Sequence, residues 1–339
     1  MRRTLPYAAL IALLLVLLCA PVEGAAGKPR PSPTPVPAPS VASTPATQAH
    51  PLFPPLDEQG FLPEGEFVLA QEEEGLWLYA DDTLRVEIVR RFDADLPLTW
   101  FEADIWTAPG ELLRLTPASG SWDRLAYDTP DGIARTARAV FAISADYFQY
   151  RINRELRIGI VLRDGNIVSA KTLPRDTTRF PNLDTMAILP DGSLRVFYND
   201  EHTAEEYLAM GAKDVLCFGP WLVRDGEINP NFGERVSSPQ PRLALGMVEP
   251  GHYVCIMAEG RMSRTSVGTF LPTMAKLLRD KGCVEALNLD GGQTAVISFM
   301  GTRINRIGSY NDGKTTPRSA MEMLVVGTSE QVAPAGPSR

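Results

Sequence analysis

The residues best suited to chemistry lie between Asn288 and Gly301, in the order N-L-D-G-G-Q-T-A-V-I-S-F-M-G. An apolar run ends at Asp290, Gly291 and Gly292 follow directly, and a second apolar run begins at Val296. Glycine tolerates positive φ and leaves the backbone bare, so a ligand can approach the Asp290 carboxylate and the N–H groups after it. Spacing alone favours a hairpin turn without a chemical role, because Asp-Gly between two apolar strands is a strong hairpin signal. Both interpretations stay open on these residues alone.

Composition and charge limit the classes of function. The chain has 339 residues, of which 44% are hydrophobic and 22% are charged, and its formal net charge is −8. This is enough material to bury a sizeable core. The basic clusters Arg2-Arg3 and Arg90-Arg91 are too short to attract nucleic acid. We therefore expect no nucleic-acid partner.

The N-terminal region predicts export. Residues 1–26 hold two arginines, an apolar run and small residues, the layout of a secretory signal peptide. The apolar run is too short for a lasting membrane span, and Cys19 leaves a lipoprotein as an alternative. A linker rich in Pro, Ala, Ser and Thr follows at 27–60, where the prolines favour an extended spacer. We expect a folded domain at 61–328, a disordered tail at 329–339, and an extracellular or envelope location.

Hydrophobic patterning predicts many strands and few helices. Strands are expected at Leu76–Tyr79, Leu84–Val89, Trp100–Trp106, Ala134–Ile143 and Met323–Val326, and hairpins around Asp164-Gly165 and Asp191-Gly192. Helices are expected only in the second half, one from Thr203 to Met210 and one capped by Thr269 and ended by Gly282. The pattern indicates an α/β or α+β fold, a single domain with mixed β-sheets flanked by a few helices.

Cysteine and histidine spacing gives no support for a metal site. Cys217, Cys255 and Cys283 lie in apolar runs, where a cysteine is most often a small core residue, although one disulfide is also possible. The sequence has no C-x-x-C, and its histidines stand apart. We predict neither a metal nor a cofactor.

Six short motifs, taken in order, point to a family. They are F-A-I-S-A-D-Y-F (141–148), F-G-P-W-L-V-R-D-G (218–226), P-R-L-A-L-G (241–246), A-E-G-R (258–261), S-V-G-T-F (266–270) and N-L-D-G-G-Q-T (288–294). Over roughly Leu76 to Gly327 the series resembles the phosphodiester glycosidase family. The resemblance implies a mixed α/β domain that hydrolyses a sugar joined through its anomeric oxygen to a phosphodiester.

The match to the family is incomplete around the small polar residues. The family usually has Asn-Gly at Ser144-Ala145, Arg-Thr at Arg242-Leu243, Asp at Glu259 and Gly-Ser-Ser at 293–295. The residues that match are Asp146, Phe148, Arg242, Gly260, Arg261, Asp290, Gly291 and Gly292. The changed neighbours keep open the alternative of a non-catalytic domain of the same fold that binds envelope glycan.

The candidate site follows from the chemistry of glycoside cleavage. That reaction usually uses two carboxylates, so Asp290 and Asp146 are the candidate catalytic residues. Arg242 and Arg261 would neutralise a leaving phosphate, although a structural ion pair is as probable for each arginine. Further candidates for substrate binding are Gly291, Gly292, Gln293, Thr294 and Phe148. The expected partner is a carbohydrate or sugar-phosphate polymer.

Two placements follow. We expect Asp290 at an exposed strand end that lines the main cleft, with Asp146 on the same cleft. Arg318 and Glu322 stand at helical spacing and predict an ion pair outside the site.

Overall fold

A computed structural model describes residues 49–122, 126–146, 158–172, 183–232, 238–263, 265–309 and 315–334. Over these ranges the chain forms three β-sheets and a few short helices. Every strand pairing described is antiparallel, so the fold mixes strands with helices as expected, but its sheets are not mixed. No helix within the described ranges is both long enough and apolar enough to cross a bilayer.

The largest sheet carries the N-terminal strands and the centre of the later motifs. Its nine strands, in spatial order, are β1 (Phe67–Gln71), β2 (Leu76–Ala80), β3 (Leu84–Asp93), β4 (Leu98–Thr107), β15 (His252–Ala258), β14 (Arg242–Glu249), β16 (Glu285–Leu289), β12 (Trp221–Arg224) and β13 (Glu227–Ile228). Strand β1, which lies before Gly75 and pairs with β2, was not predicted from the sequence.

Two five-stranded sheets complete the fold. One holds, in spatial order, β10 (Leu194–Phe197), β9 (Asp184–Ile188), β11 (Asp214–Phe218), β7 (Gly159–Arg163) and β8 (Asn166–Lys171). The other holds β18 (Thr302–Arg303), β17 (Ile297–Phe299), β6 (Ala139–Ser144), β19 (Glu322–Thr328) and β5 (Arg114–Pro117). Both predicted hairpins are confirmed, as β7–β8 and β9–β10. Their turns place Gly165 and Gly192 at positive φ, which glycine adopts without strain.

One large apolar core joins the three sheets. It contains Phe101 and Leu243 from the nine-stranded sheet, Phe141 and Leu324 from the β6 sheet, and Met186 from the β9 sheet. A residue of such a core loses nearly all its contact with water, which is the main favourable term in folding. The three described cysteines are buried and free, which confirms them as small core residues.

Three helices of at least six residues lie within the described ranges. Helix α1 (Pro130–Thr136) covers the β6 sheet, where the sequence predicted only strand from Ala134 onward. The strand begins later, at Ala139, because Thr129 caps the helix and Pro130 fits its first turn. Helices therefore occur in the first half of the chain as well.

The other two helices were predicted, one with the wrong cap. Helix α2 (Ala204–Ala209) starts at a capping box formed by Thr203 and Glu206. Helix α3 (Leu271–Asp280) packs on the outer face of the nine-stranded sheet. Its N-cap is Phe270, without a side-chain hydrogen bond. Thr269 instead exchanges two backbone hydrogen bonds with Gln240, so the prediction of Thr269 as the cap is wrong.

Candidate functional site

The later motifs meet at one end of the nine-stranded sheet. The residue pairs Arg242↔Ala258 and Leu243↔Leu289 place the start of β14 beside the ends of β15 and β16. Antiparallel neighbours alternate in direction, so the segments after β15 and β16 and before β14 emerge together. The residues after these strands are A-E-G-R and D-G-G-Q-T, and those before β14 are Gln240 and Pro241. These three segments are far apart in the sequence but lie side by side in the structure. We call them the Asp290 layer.

Asp290 connects two different sheets. Strand β16 belongs to the nine-stranded sheet, whereas β17 pairs with β6 in another sheet. Between them the chain makes a short 3-10 helix at Gly292–Thr294. The hairpin interpretation of Asp290-Gly291 is therefore wrong, because the two apolar runs do not pair with each other.

Ser144, at the end of β6, holds the segment that connects β16 to β17. The Ser144 hydroxyl donates to the Thr294 carbonyl oxygen and accepts from the Val296 N–H at 2.9 Å. The Ser144 N–H donates to the Val296 carbonyl oxygen at 3.1 Å. The serine that replaces the family's usual asparagine thus has a structural role, which fixes the segment after Asp290.

Asp290 is a buried carboxylate that titrates near neutral pH. Asp290 is 7% exposed, and its Oδ2 has no hydrogen-bond partner within the described residues. The pKa of Asp290 is raised to about 7, mainly by burial and also by the nearby Asp146. The Thr294 hydroxyl, the positive charge of Arg318 and the Gly291 N–H oppose this shift.

Arg318 is a neighbour of Asp290 that the sequence analysis placed elsewhere. Its N–H donates to the Gln293 carbonyl oxygen at 3.2 Å, and its charge lowers the pKa of Asp290. The predicted ion pair between Arg318 and Glu322 is wrong, because Glu322 lies on β19 and binds Arg163. A motif match could not have found Arg318, since the contact depends on how the chain folds back after residue 314.

Asp146 lies in a buried ion cluster. Arg163 Nη2 donates to Asp146 Oδ1 at 2.9 Å, and the Cys217 N–H donates to Oδ2 at 2.7 Å. The same arginine binds both Glu322 oxygens at 2.7 Å. Burial alone would lower the pKa of Arg163, but Asp146 and Glu322 raise it above its usual value. Asp146 is therefore held in one orientation, with no exposed surface.

The motif glycines allow close packing around Gln240 and Pro241. A Cβ added to Gly291 would lie 2.5 Å from the Pro241 carbonyl oxygen, and one on Gly260 would lie 2.6 Å from the Pro241 nitrogen. A Cβ on Gly268 would lie 2.6 Å from the Gln240 carbonyl carbon. Real side chains do not approach this closely, so each glycine is needed for the backbone to reach its neighbour. Arg242 follows this packed segment and is itself buried.

Arg261 lies over the glycine pair. A Cβ on Gly292 would meet its guanidinium nitrogens at 2.9 and 3.2 Å, so the guanidinium lies directly above this glycine. Gln240 Oε1 accepts from Arg261 Nε at 3.1 Å and orients the side chain. The structure thus brings together Asp290, its glycines and Arg261. Phe148 lies outside the described residues.

Neither of the two carboxylates lies at an exposed strand end in the part of the chain that the structure describes. Asp290 is 7% exposed and Asp146 is 0% exposed, so the prediction of an exposed strand end is wrong. Two cavities, of about 570 and 410 Å³, are lined by other residues. The larger is lined by Trp122 and Lys213 among others, and the smaller by residues near the ends of β3 and β15. The two carboxylates nevertheless interact, since Asp146 raises the pKa of Asp290.

A family comparison agrees with this arrangement. The model of the phosphodiester glycosidase family matches residues 137–326, more than half of the 339 residues. The chain belongs to the phosphodiester glycosidase family. The matched range includes Ser144, the buried ion cluster of Arg163 with Asp146 and Glu322, and the Asp290 layer. The first strands of the nine-stranded sheet, β1 to β4, lie before it.

Individual relatives of this family member are distant. The SPbeta prophage-derived uncharacterized protein YomE of Bacillus subtilis (strain 168) is 28% identical over 198 residues, which cover 57% of this chain and 29% of the relative. The chain thus spans less than a third of that curated relative. A hypothetical protein from Synechocystis is 14% identical, with a TM-score of 0.48 over 73% of this chain and 62% of its own.

A solved structure with an assigned activity shares the fold. The zebrafish N-acetylglucosamine-1-phosphodiester alpha-N-acetylglucosaminidase catalytic domain, auto-inhibited by its pro-peptide, has a TM-score of 0.55 and 21% identity. The alignment covers 74% of this chain and 85% of the zebrafish chain. At this identity the similarity shows a common fold, in agreement with the family match.

Proposed function

We propose that this family member is an exported glycosidase that hydrolyses a sugar-1-phosphodiester linkage in an envelope or extracellular polysaccharide. Membership of the phosphodiester glycosidase family supports the hydrolase class and a sugar-linked substrate. The signal-like residues 1–26 and the proline-rich linker at 27–60 support export. We propose that residues 61–328 act as one domain, in which the Asp290 layer forms the reaction centre.

The observation that carries the proposal is the state of Asp290. A carboxylate with a pKa of about 7 exists in both protonation states near neutral pH, as general acid–base catalysis requires. In the ionised form it accepts the proton of a water molecule that attacks the anomeric carbon. The bond from that carbon to the phosphate oxygen breaks, and its electron pair leaves with the phosphomonoester. The products are the free sugar and the phosphomonoester.

Arginines would supply the charge that the leaving group needs. A phosphomonoester is a good leaving group, so neutralising its charge matters more than giving it a proton. The guanidinium of Arg261 lies over Gly292, and Arg318 acts electrostatically on Asp290. Arg242 begins the strand beside Asp290. We propose that Arg242 and Arg261 bind the phosphate and that Arg318 assists them.

The remaining predicted residues would position these groups. Asp146 holds a fixed orientation through Arg163 and raises the pKa of Asp290, so we assign it an electrostatic role. Gly291 lets the Pro241 carbonyl approach and Gly292 lies under the Arg261 guanidinium, so both glycines would hold the groups around Asp290 in place. Gln293 and Thr294 shape the short helix after Asp290. The Thr294 hydroxyl lowers the pKa of Asp290 and favours its ionised form.

A non-catalytic glycan-binding domain of the same fold is the second candidate. It is favoured by the small exposed surface of Asp290 and by Ser144, whose hydroxyl is used in structural hydrogen bonds. The two candidates differ in one product. We expect the purified protein, incubated with a panel of sugar-1-phosphodiesters, to release free sugar and phosphomonoester. Binding without release would favour the second candidate.

A further inference from the structure

The smaller of the two cavities is a cleft at the same end of the nine-stranded sheet as Asp290, and its lining is rich in arginine. It has a volume of about 410 Å³, and its lining includes Arg90, Arg91 and Arg306. Among the described residues of that lining, Glu259 is the only carboxylate. Counting Glu102, which pairs with Arg91, the cleft has three cations against two anions, so it is locally basic on a chain whose formal net charge is −8. Such a concave basic site favours anionic ligands.

The sheet register connects this cleft to Asp290. Arg91 pairs with Trp100, Trp100 with Ala258, and Ala258 with Arg242, so one row of residues crosses β3, β4, β15 and β14. The next strand is β16, which ends before Asp290. Neighbouring strands are about 4.8 Å apart, so four spacings place Arg91 roughly 19 Å from Asp290 along the sheet end. That distance exceeds the reach of a single phosphorylated sugar.

Arg90 and Arg91 retain hydrogen-bond donors for a ligand. A guanidinium has five N–H donors. Within the described residues, Arg91 uses Nε toward Glu102 at 3.3 Å, and Arg90 uses Nη2 toward the Glu73 carbonyl oxygen at 2.9 Å. Both side chains are exposed, so the remaining donors face solvent.

Arg306 forms part of the wall of the cleft through its ion pair with Glu259. Its Nη2 and Nε donate to Glu259 Oε2 at 2.6 and 3.0 Å, and Glu259 is 1% exposed. Phe92, which follows Arg91 on β3 and pairs with Thr99, also lines the cleft and is 60% exposed. An exposed aromatic face beside cations suits a ligand with apolar sugar faces as well as anionic groups.

We propose that this cleft binds a second anionic group of the substrate, so that the substrate is a glycan with repeated phosphodiester or other anionic groups. One linkage would lie at Asp290 and a neighbouring anionic group against the arginines that line this cleft. This proposal rests on the proposed function, because it treats both sites as parts of one binding track. It predicts that the protein prefers polymers to single sugar phosphodiesters.

The test compares a double variant with a matched control. R90Q/R91Q removes two positive charges from the cleft, and K171Q/K276Q removes two from exposed positions elsewhere. All binding measurements use the D290N background, so that ligands stay intact. The probes are a synthetic oligomer of three sugar-1-phosphate repeats and the matching single sugar-1-phosphodiester.

We expect R90Q/R91Q to weaken oligomer binding by about tenfold or more, with binding of the single phosphodiester changed less than about twofold. The control should change neither by more than about twofold, and the tenfold difference should shrink in high salt. Because Arg90 also packs on the Gly75 turn, R91Q alone is the second variant and should give a smaller loss of the same kind.

Equal oligomer affinity in R90Q/R91Q and in its control would overturn the proposal. Equal weakening of both ligands would also overturn it, since the arginines would then act on the first site. The two proposals can fail separately. If the wild-type protein cleaves neither ligand, the glycosidase proposal is refuted. The difference in oligomer affinity between R90Q/R91Q and its control still decides whether the arginine cleft binds an anionic group.

Discussion

The N–H of Asp290 donates to the carbonyl oxygen of Ala145 at 3.2 Å. This bond joins the end of β16 to the segment after β6 and sets Asp290 beside the residue that precedes Asp146. Two carboxylates from different sheets are thereby brought into electrostatic contact, and Asp146 raises the pKa of Asp290. Because the site lies where two sheets meet, a change in the packing of either sheet should alter it.

The first concerns the pH dependence of stability. Because the folded protein holds the Asp290 proton more tightly than the unfolded chain, this group stabilises the fold fully below about pH 4, and that contribution is lost as pH rises to about 7. Asp290→Asn has no proton to lose there. Relative to wild type, its free energy of unfolding should rise by a few kcal/mol between pH 4 and 8, at about 1.4 kcal/mol per pKa unit.

Urea unfolding of both proteins across this pH range measures the difference. Glu322 also has a pKa raised by burial, but it is present in both proteins and largely cancels. Parallel stability curves for wild type and D290N would show that Asp290 does not have a raised pKa.

Arg163 should be essential for stability. Arg163→Met leaves two buried carboxylates, Asp146 and Glu322, without their cation, and breaking such a cluster typically costs about 3–5 kcal/mol. The loss should be smaller at pH 5 than at pH 8, because protonation relieves the repulsion. Arg91→Met, at an exposed ion pair, is the control and should cost under about 1 kcal/mol. A similar small loss in both variants would contradict the buried cluster.

The packing around Gln240 can be tested with matched glycines. Gly268 and Gly110 have φ of +108° and +100°, but a Cβ on Gly268 would lie 2.6 Å from Gln240, whereas nothing lies within 4 Å of one on Gly110. Both alanine variants carry a similar backbone strain, so the difference isolates the crowding. Gly268→Ala should be less stable than Gly110→Ala by about 1–3 kcal/mol in chemical unfolding. Equal losses would mean that this contact is not tight.

Local patterns predicted much of the fold. The Asp164-Gly165 and Asp191-Gly192 hairpins depend only on adjacent residues, and both form. The capping box at Thr203 is local in the same sense. The motif that contains Asp290 was correctly chosen as a point where strands end, because an acidic residue and two glycines stop an apolar run.

Contacts between distant segments could not be predicted in this way. The Asp290 segment resembles a hairpin locally, but Ser144 pulls it into another sheet across about 150 residues of sequence. Thr269 has the chemistry of a cap, yet pairing with Gln240 uses its backbone instead. Glu322 stands four residues after Arg318 but binds Arg163, because β19 is a strand. In each case tertiary structure overrides a local preference.

Recognition of phosphate should depend on Arg261. Arg261→Gln keeps a hydrogen-bonding side chain over Gly292 but removes the charge. Affinity for a sugar phosphodiester should fall by about 2–5 kcal/mol if the contact is desolvated, while affinity for the neutral glycoside of the same sugar should hardly change. Calorimetric titration with the two ligands measures both values. Equal effects on the charged and neutral ligands would remove phosphate from the proposed contacts.

We propose that Asp290, in its ionised form, drives hydrolysis of a sugar-1-phosphodiester. The most direct measurement is the rate of release of free sugar and phosphomonoester by wild type and D290N as a function of pH. The wild-type rate should rise with pH through about 7, because Asp290 loses its proton there and the phosphodiester stays charged throughout. D290N should bind the same ligand but lose at least about 100-fold in rate. No release by the wild type, or an unchanged rate in D290N, would contradict the account.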